Sequence, residues 1–159
     1  MPIEQKLRVL KKIASAFERA HITWAVGASV LLYFKEIVPS FNDLDLLIHM
    51  KDIEKAKKIL LQMGILKPSQ ENTNFKTKVF LEFVVDAVEV DVIGGFAIVH
   101  DGICHDCSLL EEQIMEYVEL QGHQIPLQSI ELWKQYYYWM GREKKVNIIE
   151  EALHRNSAE

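Results

Sequence analysis

The sequence predicts an α+β fold with an α/β-type core: a mixed β-sheet flanked by helices and closed by a C-terminal helical pair. Three observations lead there. Helical and strand-like apolar spacing alternate through the first 63 residues. Two β-rich runs then flank the dipeptide Asp86-Ala87, in the manner of a hairpin. The chain finishes in two helical stretches separated by Gly141. Helices interleaved with strands, then strands, then helices, is the order of a mixed sheet covered by helices.

Leu7, Leu10, Ile13, Ala14 and Phe17 recur at helical spacing, with lysines and arginines between them, so residues 4–20 read as an amphipathic helix. Ile22 to Val26 reads as a short buried strand, Gly27-Ala28-Ser29 as a turn, and Val30 to Glu36 as the next helix. Pro39, Ser40 and Asn42 break the pattern before a strand from Leu44 to Met50. A helix follows from Asp52 to Met63, with Asp52 expected as its N-cap and Gly64 as its C-cap. Pro68 to Asn74 is polar and expected as loop. Lys76–Val85 and Val88–Ile93 form the hairpin, and Gly94-Gly95 ends or bends its second strand. Residues 97–110 carry no clear pattern. Ile114 to Leu120 alternates, Gln121-Gly122-His123 turns, and Gln124 to Leu127 is a short strand. Ser129 is expected to cap a helix to Met140, and the last helix runs to His154.

All 159 residues are expected to form one domain, with the core at about 20–128 and the C-terminal helices at about 129–154. A composition 49% hydrophobic and 26% charged is that of a globular chain rather than a disordered one. The net charge of -5 excludes a globally basic nucleic-acid footprint. Two cysteines are too few for a secreted disulfide framework. No apolar run reaches the roughly 18 residues of a membrane span, and no signal core is seen, so a cytoplasmic protein without membrane partners is expected.

Asp43-Leu44-Asp45 is the sharpest chemical feature. Residues two apart on an extended chain point to the same side, so both carboxylates project together. Like charges so placed repel, and a divalent cation such as Mg²⁺ or Mn²⁺ removes that repulsion. The plainer alternative for an Asp-X-Asp pair is a solvated turn. Asp91 interrupts the apolar run Val88–Ile93, where a carboxylate is costly unless exposed, paired or metal-bound. Its plainer alternative is a charge on an edge strand. Glu89 shares its side of the strand. Gly27-Ala28-Ser29, opening a helix, offers free N–H groups to phosphate; its plainer alternative is an N-cap by Ser29. His100, Cys104, His105 and Cys107 lack the spacing of a usual zinc finger and read as ordinary thiols and imidazoles in a loop. In Tyr136-Tyr137-Tyr138-Trp139, one or two rings are expected in the core.

The ordered set Val26-Gly27-Ala28-Ser29, Asp43-Leu44-Asp45-Leu46 and Val90-Asp91-Val92 resembles the nucleotidyltransferase superfamily related to DNA polymerase β. Ile125-Pro126-Leu127-Gln128-Ser129, followed by two helices with Gly141-Arg142-Glu143-Lys144 between them, is similar to the ending of small stand-alone and AbiEii-type members. The resemblance spans residues 20–154. The chain departs from the pattern in three places: Ala28 replaces a second Gly or Ser, Pro39 to Asn42 replace the usual basic and hydroxyl residues, and Lys145 stands where Asp is usual.

The resemblance implies a nucleotidyltransferase fold and transfer of a nucleoside monophosphate from NTP to an acceptor hydroxyl on a small molecule, protein or RNA. It assigns Asp43, Asp45 and Asp91 to metal binding and catalysis. It assigns Gly27, Ala28, Ser29, Lys134 and Arg142 to the nucleotide, the last two as surface residues otherwise. The alternative function is a catalytically inactive member that acts as an antitoxin-like or regulatory interaction partner. A partner protein or a homo-oligomer fits either case.

Overall fold

The computed structural model describes residues 2–68 and 76–157. The loop expected over 68–74 therefore lies outside the described residues from Ser69 onward.

Helix α1 (Ile3–Arg19) presents Val9, Leu10, Ile13, Ala14 and Phe17 as one buried face, as its spacing requires. One of its lysines departs from the expected solvent face, since Lys6 is buried. Strand β1 (Trp24–Val26) leads through Gly27 into α2 (Ala28–Phe34). Strand β2 (Leu44–Ile48) stops short of Met50, because residues 50–52 wind into a 3₁₀ turn ahead of α3 (Ile53–Met63). Asp52 stands at the N-cap position without capping. Its carboxylate instead accepts from the Thr23 N–H at 2.8 Å and pairs with Lys55 at 3.6 Å. Gly64 ends α3 in an extended conformation rather than a left-handed one, and a Cβ there would overlap the Val84 carbonyl oxygen.

Strands β3 (Ile65–Leu66), β4 (Val79–Val85) and β5 (Val88–Gly94) follow. Asp86 and Ala87, both at positive φ, make the two-residue turn between β4 and β5. Such turns match strand twist and fix register. The unpatterned stretch after them is a separate hairpin, β6 (Ala97–His100) with β7 (Ile103–Asp106), turning at Asp101-Gly102. Strands β8 (Glu116–Leu120) and β9 (His123–Leu127) turn at Gln121-Gly122. Ser129 caps α4 (Ile130–Trp139), its hydroxyl accepting from the Leu132 N–H at 3.3 Å. Helix α5 (Glu143–Ser157) closes the chain.

Seven strands form one mixed sheet in the order β3-β4-β5-β2-β1-β9-β8. β2 runs parallel to β5 and antiparallel to β1, so both flank it at the centre. Helices α1 and α3 pack together on the face carrying Leu44, Leu46, Val90 and Val92, where Ile53 of α3 fills the space beside Gly94. The other face carries Asp45 and Leu47. Trp133 of α4 packs there, against the Gly27 backbone and alongside Leu47. Further along that face, over β4, Phe80 is 52% exposed. Helices therefore cover one half of the second face and, among the described residues, leave the other half open. No described helix is long and apolar enough to cross a membrane.

Candidate active site

Asp45 and Asp91 are paired residues on the neighbouring parallel strands β2 and β5. Paired positions on adjacent strands point to the same face and lie about 4.8 Å apart in the hydrogen-bonding direction. Asp43 precedes β2 by one residue and joins them electrostatically. Burial, followed by the charges of Asp91 and Asp43, pushes Asp45 well above the ordinary carboxylate range. Burial, followed by Asp43, raises Asp91 to about 6. Burial and a hydrogen bond to Glu89 raise Asp43. β5 is an interior strand, so Asp91 is no edge-strand charge, and Asp45 sits within a strand rather than on a solvated turn.

More charges belong to this cluster than the sequence suggests. Glu82 of β4 pairs with Asp91 across the hairpin. Lys67 bridges Glu89 at 3.0 Å and Glu82 at 3.9 Å. That ammonium, with Asp43 as second partner, holds Glu89 below the usual carboxylate range. Glu82 was legible in principle: the two-residue turn at Asp86-Ala87 sets a register that places it opposite Asp91. Lys67 and Lys6 left no such signal, because only the tertiary fold brings them near Asp43.

The Gly27–Ser29 turn is tied to the same strand, since the Gly27 N–H donates to the Asp45 carbonyl at 3.1 Å. Gly27 stands at the N-cap in an extended conformation, and Ser29 makes no cap. The missing side chain at Gly27 has a packing reason: a Cβ would stand 2.5 Å from the Trp133 ring and 2.8 Å from Leu47. The left-handed residue is Ala28, at φ 53°. Tyr137 of α4 is buried with its hydroxyl against that of Ser29. Burial, followed by the charge of Asp45, raises this hydroxyl to about 12. The Arg142 guanidinium lies 5.6 Å from the centre of the Tyr137 ring. Lys145, its pKa lowered by burial and by Arg142, stands beside it. Arg142, with Lys145 near it, thus lies against a tyrosine that meets the turn at Ser29 and feels the charge of Asp45. Lys134 is directed elsewhere, pairing with Glu150 of α5 at 3.2 Å.

No protein-family profile matches the sequence, and no curated protein does. Solved structures do match. A protein of Thermotoga maritima described as a nucleotidyltransferase aligns over 98% of this chain and 96% of its own, with a TM-score of 0.75 at 23% identity. The chain has the nucleotidyltransferase fold. ANT(2")-Ia, solved in complex with adenylyl-2"-tobramycin, covers 96% of the chain and 90% of its own at TM-score 0.65 and 13% identity. The lincosamide antibiotic adenylyltransferase LnuA, lincomycin-bound, covers 90% and 95% at TM-score 0.58 and 12% identity.

Within this nucleotidyltransferase fold, the aspartates fit a divalent cation by their chemistry. They are hard oxygen donors, crowded on one face, and the charges of Asp91 and Asp43 push Asp45 up, a repulsion that a cation would relieve. Among the described residues, no three His, Cys, Asp or Glu side chains are already drawn together as a cage. His100, Cys104 and His105 lie in the β6–β7 hairpin rather than a loop, with Cys104 exposed and Cys107 buried just past it. The His105 ring stacks on Trp139 at 3.7 Å, and burial raises the Cys107 thiol to about 12. Of the aromatic run, Tyr136 and Tyr137 are core and Tyr138 is exposed.

Proposed function

We propose that the chain transfers a nucleoside monophosphate from an NTP to the hydroxyl of a small-molecule acceptor, with Mg²⁺ or Mn²⁺ as cofactor. The observation that carries this is the pairing of Asp45 with Asp91 on adjacent central strands, with Asp43 beside them. The fold shared with enzymes named for adenylylated tobramycin and for lincosamides supports the acceptor class. So does the half-face over β4 beside Glu82 and Asp91, open among the described residues.

Asp43, Asp45 and Asp91 would hold the cations, which when bound neutralise the triphosphate and stabilise the attacking and leaving oxygens. The acceptor oxygen bonds to the α-phosphorus as the bond to pyrophosphate breaks. Asp91 would either complete the second metal site or, left unligated, take the acceptor's proton. The amides of Ala28 and Ser29 and the Ser29 hydroxyl would meet the phosphates, the Gly27 N–H being held by the Asp45 carbonyl. Arg142 supplies positive charge from the helical pair, and Lys145 joins it. Lys134 keeps its partner Glu150 and serves the packing of α4 on α5.

Titration calorimetry with each NTP, with and without Mg²⁺, tests the proposal. Mg²⁺-dependent binding is expected in the wild type. It should be lost in Asp43→Asn and Asp45→Asn, both folded. Absence of binding at millimolar nucleotide would return the chain to the interaction-partner reading.

A further inference from the structure

Asp45 and Asp91 are held by the β-ladder, whereas Asp43 lies outside it, at the end of the Pro39–Asn42 turn. Something other than strand pairing has to aim its carboxylate. Glu89 holds it on one side. On the other stands Lys6 of α1, only 9% exposed and the one buried lysine among the described residues. Its ammonium donates to the Phe41 carbonyl and lies 5.6 Å from the centre of the Phe41 ring. That ring is itself buried, edge-on to Tyr33 at 5.2 Å. Burying an ammonium is costly, and a leucine would extend the apolar face of α1 without that cost. Helix packing therefore does not explain a lysine here. Its hydrogen bond ties α1 to the backbone two residues ahead of Asp43, and its charge reaches Asp43 itself.

We infer that Lys6 is a positioning residue for the acidic site: by anchoring the Phe41 carbonyl to α1, it fixes the direction in which Asp43 presents its carboxylate beside Asp45 and Asp91. The inference rests on the nucleotidyltransferase reading of those aspartates. Lys6 acts through the Phe41–Asp43 segment and does not touch substrate.

The test is Mn²⁺ binding to the full chain, followed by calorimetry and electron paramagnetic resonance, with Asp45→Asn as the reference for a lost site. Lys6→Met keeps the aliphatic stem and removes the ammonium. It is expected to fold and to bind Mn²⁺ at least about tenfold more weakly, as removal of supporting groups around metal ligands generally does. Lys6→Arg, which retains charge and donors, is expected to recover most of that loss. Should Lys6→Met fail to fold, Lys6→Gln is read by the same criteria. Unchanged Mn²⁺ affinity with a lower melting temperature would make Lys6 structural and overturn the inference alone. Tighter Mn²⁺ binding would also overturn it, by reducing Lys6 to a repelling charge. A wild type that binds Mn²⁺ no better than Asp45→Asn would overturn both the inference and the proposed function.

Discussion

Asp91→Asn isolates the electrostatic cost of the acidic site. Asp91 is paired with Asp45 on one side and Glu82 on the other. Burial and the surrounding acids raise its pKa from 3.8 to about 6. A carboxyl whose pKa is higher folded than unfolded holds its proton better in the folded state, so stability falls as pH rises from about 4 to about 6. The loss is complete above that window. At about 1.4 kcal/mol per pH unit, the ionisation penalty at neutral pH is on the order of 3 kcal/mol. Asp45 and Asp43 remain in the variant and solvent screens part of the field, so the relief expected is about 1–2 kcal/mol. For a chain of this size 1 kcal/mol moves Tm by about 2–4 °C. Metal-free Asp91→Asn should therefore melt about 2–8 °C above the wild type near pH 7.5 in chelator, and level with it at about pH 3, below both pKa values, where Asp91 is protonated in both states. Calorimetric melts at the two pH values check this. A variant that melts lower near pH 7.5, or an offset of equal size at both pH values, would refute the reasoning, because carboxylate crowding produces neither.

The turn and the helical pair give further expectations. Gly27→Ala should destabilise by about 2–3 kcal/mol in a denaturant melt, since its methyl meets the Trp133 ring at 2.5 Å and that ring is packed on several sides. Ala28→Gly should stabilise by about 0.5–1 kcal/mol, because Ala28 is left-handed at φ 53° and glycine adopts that conformation without strain; a lower melting temperature would count against it. Arg142→Met should raise the KM for NTP about tenfold, the usual scale for a lost charged hydrogen bond. Lys134→Met should leave KM near the wild-type value, because Glu150 already engages that ammonium.

Much of this protein was legible in residues taken one segment at a time. The apolar period of α1, the turn at Asp86-Ala87 and the Ser129 cap are local devices, and each forms where its residues stand. The acids were legible for the same reason: Asp43-Leu44-Asp45 and Asp91 are polar residues in apolar strand sequence, and alternation assigns each a side. The β6–β7 hairpin was missed, because its short strands carry His100, Cys104 and His105 in place of an alternating pattern and are held by α4. Asp52, placed as a cap, was drawn instead to the Thr23 N–H of the neighbouring chain segment.

The sequence by itself determined most of the order of elements, the mixed character of the sheet and three carboxylates of one kind, since periodicity and turn chemistry act within a few residues. Only the tertiary structure decided that Asp45 and Asp91 are partners, that Gly27 is small because Trp133 lies against it, and that Lys6 and Lys67 stand near Asp43. Those relations depend on which strands become neighbours and which helices lie over them. Distant segments settle that by burying their apolar faces together, and no single stretch of sequence records it.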